Sequence, residues 1–495
     1  MKRRITIDPI TRLEGHGRIE IFLDAEGDVE NAYFIVPELR GFEQFCVGRS
    51  AEEMPNITNR ICGICPEAHH IAAGKALDDL YGVEPPLAAR LLRELFYCAF
   101  FVADHTTHFY VLGGPDLLVG PEAPAEERNI FGVVAKLGAE VGTRIFDCRR
   151  RNHGIIGLLG GRSIHPNAAL PGGWSRAINE AERGEIVAAA RQNVDFALFS
   201  LDLFEKRILT DEAFLELLFA DSYRHETYYS GTVDPENRVN FYDGTIRVVA
   251  PDGHEFCRYA PRDYAEHIAE RVESWTYLKF PYLRNIGWQG LTDGPGSGVY
   301  CSTPLARLNV ADGMATPLAQ KQFEKFYGYF GNGSVNGRYR PVHQRLATHW
   351  ARLIEMLYAA ERMAELAAHP ALTSPEVRVI PTGIPREGVG CIEAPRGTLT
   401  HHYWTDERGV LTRLNLIVGT TNNHAPIAMS VKRAAQGLIK KGRVIDDGLL
   451  NRIEMAFRLY DPCFSCATHA LPGSPSLVMT IRDHAGEVVL RKVKP

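Results

Sequence analysis

Two C-x-x-C pairs lie near opposite ends of this 495-residue chain: Cys62 and Cys65 in RICGICPEAHH, and Cys463 and Cys466 in DPCFSCATHA. If the pairs share one metal site, the fold must bring its first and last segments together. No other feature constrains the topology as strongly. Within each pair the spacing lets two thiolates face one centre, and Gly63 gives the first loop the freedom to turn tightly. Spacing alone leaves three readings open: structural zinc, another soft-metal or iron-containing centre, and two separate redox motifs. Zinc-binding pairs ordinarily lie roughly 15–20 residues apart, far closer than these two.

The other six cysteines, Cys46, Cys98, Cys148, Cys257, Cys301 and Cys391, have no ligand spacing. Reduced thiols in a cytoplasmic setting are the expectation, not a disulfide framework. No apolar run follows the basic start MKRR as a secretory signal would require. No window reaches the roughly 18 uncharged apolar residues of a membrane span. A net charge of −5 with both signs interspersed offers no basic block for nucleic acid. The expected partners therefore include neither nucleic acid nor a bilayer.

The pattern predicts an α+β fold, predominantly helical, with a central helical bundle and strand-rich N-terminal and peripheral patches. ITIDPI, GRIEIFLDA and VENAYFIV alternate like strands. HHIAAGKALDDLYG and the run from Pro85 to Gly113 read as helices, the second with proline punctuation at its start and glycine at its end. SRAINEAERGEIVAAARQNVDFALFSLDLFEKRI reads as a helix broken at Gly184, and three more helical runs follow. NRVNFYDGTIRVVAPDGHEF reads as strand–turn–strand, 286–313 as glycine-rich loop, and 377–418 as a second strand patch. Residues 1–469 are expected to form one catalytic unit. Residues 470–495 are expected to form a hairpin-like tail turning at His484-Ala485-Gly486.

Around the cysteines the ionisable residues are dense. Arg60 is placed to screen thiolate charge, and His69 to donate to a ligating sulfur. A histidine that merely starts a helix fits the sequence equally well. Glu14, read from the residues alone, is a surface charge on a strand.

RICGICPEAHH and DPCFSCATHA resemble the two signature motifs of the large subunit of nickel–iron hydrogenases. DPITRLEGHGRIEI, RGFE (40–43), EAPRGTLTHHY (393–403) and TTNN (420–423) resemble further blocks of that family in the same order, so the resemblance spans nearly the whole chain. It implies that Cys62 and Cys463 are terminal nickel ligands and that Cys65 and Cys466 bridge nickel and iron. The iron would carry cyanide and carbon monoxide. Glu14 would pass protons from a nickel-bound thiolate, while Glu43 and His469 would hold Mg2+ or a similar divalent cation. Arg396 would lie over the open metal position with Asp116 and Asp461 nearby, and Thr420 would hydrogen-bond a cyanide. Most family members are cleaved after the histidine matching His469, so the tail is either a maturation extension or a retained element.

The implied reaction is reversible heterolytic oxidation of dihydrogen to two protons and two electrons. This requires an electrophile and a base. Electrons would leave to an iron–sulfur small subunit, because no second ligand set remains in this chain. Further flavin/NAD(P) or ferredoxin-linked subunits would follow, since the CPEAHH and CATHA variants resemble cytoplasmic multisubunit members. Two rivals stand beside this reading: a hydrogen-sensing or low-turnover relative, and a zinc-stabilised scaffold subunit.

Overall fold

The computed structural model describes residues 3–8, 10–36, 41–332, 339–464, 477–482 and 488–494. Arg40, Cys466 and His469 lie outside the described residues. Helix occupies 49% of the chain and strand 19%, so the fold is α+β with a helical core, as the pattern predicts.

Helix α1 (Pro66–Tyr81) follows the first cysteine pair directly. Helix α2 (Leu87–Thr107) starts behind Pro86 and is buried on nearly all sides from Leu91 to Thr106, which is why it is apolar around its circumference. It runs on into a π-helical turn, His108–Gly113, so the expected glycine stop is reached through a widened turn. Helices α3 (Ala139–Gly160), α4 (Glu180–Arg207) and, later, α6 (Thr348–Ala368) pack with α2 as the central bundle. Helix α4 is not broken at Gly184. A capping box between Asn179 and Glu182 sets its start, and packing against α6 offsets the roughly 1 kcal/mol that a glycine costs inside a helix. Helix α5 (Pro304–Val310) replaces the end of the expected 286–313 loop, capped by Thr303.

Strands β1 (Arg3–Asp8), β2 (Arg18–Leu23) and β3 (Val29–Ile35) form a meander. Strands β4 (Tyr228–Val233), β5 (Thr245–Val249) and β6 (Glu255–Tyr259) make a second sheet, with β5 and β6 joined around Gly253. Strands β7 (Glu387–Ala394), β8 (Gly397–Thr405) and β9 (Leu411–Ile417) make a third. Helix α1 lies on β7 so closely that a Cβ on Gly390 would stand 2.0 Å from the Ala72 carbonyl oxygen. Helices α7 (His424–Leu438) and α8 (Asp447–Arg458) pack on each other, and α7 also packs on β3. Beyond them, β10 (Leu477–Arg482) and β11 (Val488–Lys494) pair with each other, and β10 pairs antiparallel with β1. The chain's last strands thus extend its first sheet.

Burial keeps several histidines neutral. It lowers His70, His105 and His225 to about 4 and His349 to about 3, whereas an unfolded histidine titrates near ~6.5. Between those values the folded chain binds fewer protons than the unfolded one. The stability these groups contribute is complete above about pH 6.5 and is lost as pH falls toward 4. The expected result is a melting temperature that declines steadily across that window. A flat profile there would contradict the burial of neutral imidazoles.

Candidate metal centre

Three sulfurs from the two ends of the chain meet. Glu14 and Cys463 form a parallel backbone bridge: Glu14 N donates to Pro462 O (3.4 Å), and Phe464 N donates to Glu14 O (2.7 Å). This pairing delivers Cys463 to the loop that ends at the N-terminus of α1. Cys62 Sγ lies 2.6 Å from Cys65 Sγ and 3.2 Å from Cys463 Sγ. All three thiols are buried, outside any disulfide, and offer ligand atoms within 4.8 Å of one another. The amides of Ile64 (3.4 Å) and Cys65 (2.9 Å) both donate to Cys62 Sγ, which favours its thiolate, as does the start of α1 beside it. Cys463 Sγ donates to Glu14 Oε2 at 3.0 Å. Glu14 is half-buried, so it joins the buried sulfur to a more open region.

Arg396 occupies the tip of the β7–β8 hairpin, where Ala394 pairs with Gly397 and only Pro395 and Arg396 make the turn. Gly397 has φ +137°, and a Cβ there would stand 2.5 Å from the carbonyl oxygens of Gly419 and Ser302, so only glycine fits. Arg396 Nη2 pairs with Asp104 Oδ1 (3.1 Å) and Asp461 Oδ2 (3.0 Å). Burial opposes its charge. Asp104, Asp461 and the nearby Cys65 and Cys463 outweigh that and hold it well above its ordinary range. Asp461 takes the left-handed φ of 55° and is gripped from its other side by Arg352 at 3.4 Å. Burial and Asp104 raise its carboxyl to about 7 against the pull of Arg396 and Arg352.

The other expected residues fall as follows. Thr420 Oγ1 accepts the Cys463 amide at 3.2 Å. His69 Nδ1 lies 3.1 Å from His401 Nε2, whose Nδ1 meets Tyr403 OH at 2.6 Å; the THHY segment is thereby tied to α1. Glu43 lines a cavity of about 220 Å³ with Thr420, His424 and Cys463, and stands 3.6 Å from Lys279. Two expectations need correction. Asp116 is not beside Arg396; it is bound by Arg12, by Arg458 Nη1 (3.0 Å) and by Asn451 Nδ2 (3.0 Å), because α8 folds over that end of the bundle. Arg60 is exposed and bonds Asn56 and Asn59, so it does not screen the thiolates.

The acidic partner that sequence reasoning missed is Asp104. Its signal was present: Asp104 and His105 close a run without formal charges, LFYCAFFVA, and a carboxylate there needs a cation. Glu67 was also missed. It is 2% exposed, and burial, followed by the charges of Cys62 and Asp104, pushes its carboxyl well above the usual range. Both line a cavity of about 550 Å³ with Gly63, Ile64, Arg149 and His153, beside the first cysteine loop.

The donor set fits a soft transition-metal centre. Arg396 Nε and Nη1 are buried with no hydrogen-bond partner among the described residues, next to Cys65 and Cys463, and this leaves them available to a group held by the sulfurs. A family profile described as nickel-dependent hydrogenase matches residues 40–122 and 301–469. The chain belongs to the nickel-dependent hydrogenase family. A second profile, described as HoxL-like, matches residues 4–39. Over 98% of its length the hydrogenase is 47% identical to the F420-non-reducing hydrogenase iron-sulfur subunit of Archaeoglobus profundus, covering 99% of that protein. It is 36% identical to the NAD-reducing hydrogenase HoxS subunit beta of Cupriavidus necator, over 99% of both chains. A crystal structure of an NAD+-reducing [NiFe]-hydrogenase in the H2-reduced state superposes with a TM-score of 0.85 at 37% identity, covering 94% of this chain and 99% of that one. The protein is therefore a large-subunit-type hydrogenase, an oxidoreductase acting on hydrogen around a nickel–iron centre and working with other subunits. No helix among its described residues is long and apolar enough to cross a membrane.

Proposed function

We propose that the hydrogenase reversibly splits dihydrogen at a centre held by Cys62, Cys65, Cys463 and Cys466, with Cys62 and Cys463 terminal on nickel and Cys65 and Cys466 shared with iron. The observation that carries this is the meeting of Cys62, Cys65 and Cys463 beside Glu14. Bound there, the metals supply an open Lewis-acid position and redox capacity. The chain's own groups do the rest. Glu14 Oε2 takes a proton from Cys463 Sγ across 3.0 Å and passes it outward. Arg396 cannot titrate near neutral pH and fixes positive charge over the sulfurs. Asp104 and Asp461 hold that charge in position. Thr420 orients Cys463 through its amide and also serves a diatomic ligand of iron, cyanide or carbon monoxide.

Glu43 and His469 are assigned to Mg2+. In support, Glu43 shares a cavity with Cys463. The electron acceptor lies in partner subunits: an iron–sulfur small subunit first, then flavin/NAD(P)- or ferredoxin-linked chains. Relatives named F420-non-reducing and NAD-reducing support a site whose acceptor is chosen by its partners. The nicotinamide link supports a cytoplasmic setting. Residues 1–469 are read as one catalytic unit, with β10 and β11 as a tail docked on β1.

Replacing Glu14 by Gln tests the proton role. Proton transfer by a positioned side chain contributes about 10²–10⁴-fold. The expected result is that nickel content and the infrared bands of the diatomic ligands stay at wild-type levels while exchange between dihydrogen and heavy water falls by about 10²-fold or more. Wild-type exchange in this variant would remove Glu14 from the path.

A further inference from the structure

Arg396 is held at its visible end by Asp104 and Asp461, but its backbone and its aspartate are also anchored from behind. Arg307 of α5 is fully buried and spends its whole guanidinium on this task. Its Nε and Nη2 meet Glu355 Oε1 (2.6 Å) and Oε2 (2.7 Å). Its Nη1 bonds Glu393 Oε2 (3.1 Å) and Ala394 O (2.9 Å), and Nη2 bonds Pro395 O (3.2 Å). The two carbonyls immediately before Arg396 are therefore clamped. Glu393 Oε1 ties the far side of the turn by accepting from Thr398 Oγ1 at 2.8 Å. Glu355 has a second partner: its Oε2 accepts from His105 Nε2 at 3.1 Å, and His105 follows Asp104 on α2. One carboxylate thus joins the hairpin that carries Arg396 to the helix that carries Asp104. Three residues before it on α6, Arg352 holds Asp461.

We infer that Glu355, acting through Arg307 and His105, is a positioning residue that sets the Arg396–Asp104 geometry over the metal centre. An ordinary core ion pair would contribute stability alone. A positioning residue contributes to turnover through Arg396, so its effect disappears when Arg396 is already impaired. The inference rests on the role proposed for Arg396.

A double-mutant cycle separates the two. In the complete enzyme complex, Glu355→Gln is expected to lower kcat for hydrogen uptake by about 10–100-fold, as a small misplacement of a catalytic group does. KM and nickel content should stay unchanged. In the Arg396→Lys background the same substitution should change kcat by about twofold or less. A crystal structure of Glu355→Gln should show the Arg396 Nη2–Asp104 Oδ1 contact lengthened from 3.1 Å. Equal fold-losses in both backgrounds, or an unchanged contact, would overturn the inference while leaving the role of Arg396 intact. Wild-type turnover of Arg396→Lys alone would instead remove the reading on which the inference rests. Removing one member of a buried ion pair is strongly destabilising, so Thr398→Val provides a second, uncharged probe. It should lower kcat about two- to tenfold, the equivalent of one hydrogen bond, and that loss too should vanish beside Arg396→Lys. A loss that persists there would overturn the inference.

Discussion

The Cys463→Ser variant is expected to fold, to lose nickel to near background and to show no hydrogen uptake. The fold should survive because the contacts placing residue 463 are made by backbone: its amide donates to Thr420, and Pro462 and Phe464 pair with Glu14. What changes is the donor. A serine oxygen is hard and stays protonated near neutral pH, whereas nickel in this setting is held by soft thiolates. The same substitution removes the sulfur that faces Glu14 Oε2 at 3.0 Å, so the proton's first stop disappears together with the ligand. Elemental analysis and a hydrogen-uptake assay on the purified complex check this. Unchanged nickel together with wild-type uptake would refute the ligand assignment.

Arg396→Lys is expected to keep the metal and lose about 10²–10³-fold in kcat, the range seen when one fixed electrostatic group is removed from a reaction site. A lysine retains the charge. It does not retain the planar fork whose Nη2 joins Asp104 to Asp461 while Nε and Nη1 remain for the centre. The ammonium can satisfy one aspartate, and the pull toward it moves charge away from the sulfurs. Stability should drop less than in a variant that leaves Asp104 and Asp461 without a cation, because breaking such a buried pair costs about 3–5 kcal/mol. The measurement is kcat against nickel content. Wild-type turnover at full nickel loading would show that the fork does not matter.

Much of this was legible in the sequence because it is written in local patterns. The proline-led start of α2, the strand alternation before residue 36 and the turn around Gly253 each follow from short-range backbone preferences. The two cysteine pairs announced that the ends meet, and Cys62 and Cys463 do meet. What the sequence hid is tertiary. Nothing local says that the two residues Pro395 and Arg396 alone would make a hairpin turn, or that the arginine's partner would be Asp104 on another helix and not Asp116 twelve residues further on. Asp116 was taken instead by Arg12 and Arg458, a choice made by how α8 packs. Gly184 looked like a break, but a capping box and a long packed face carry the helix through it. Helix α5 was masked by its glycine-rich approach, although it carries Arg307, which clamps the hairpin bearing Arg396.

The pairing of β10 with β1 adds a structural reason for the ends to stay together. It is independent of the metal, since it runs through backbone hydrogen bonds of the first sheet, and it brings the segment after Cys463 back to the strand that precedes Glu14.

X-ray absorption at the nickel edge of the assembled enzyme tests the whole account most directly. If Cys62, Cys65, Cys463 and Cys466 cradle the metals, nickel should be present with a first shell dominated by sulfur and with iron as a near neighbour. A nickel shell of oxygen and nitrogen, or zinc bound in place of nickel, would contradict it.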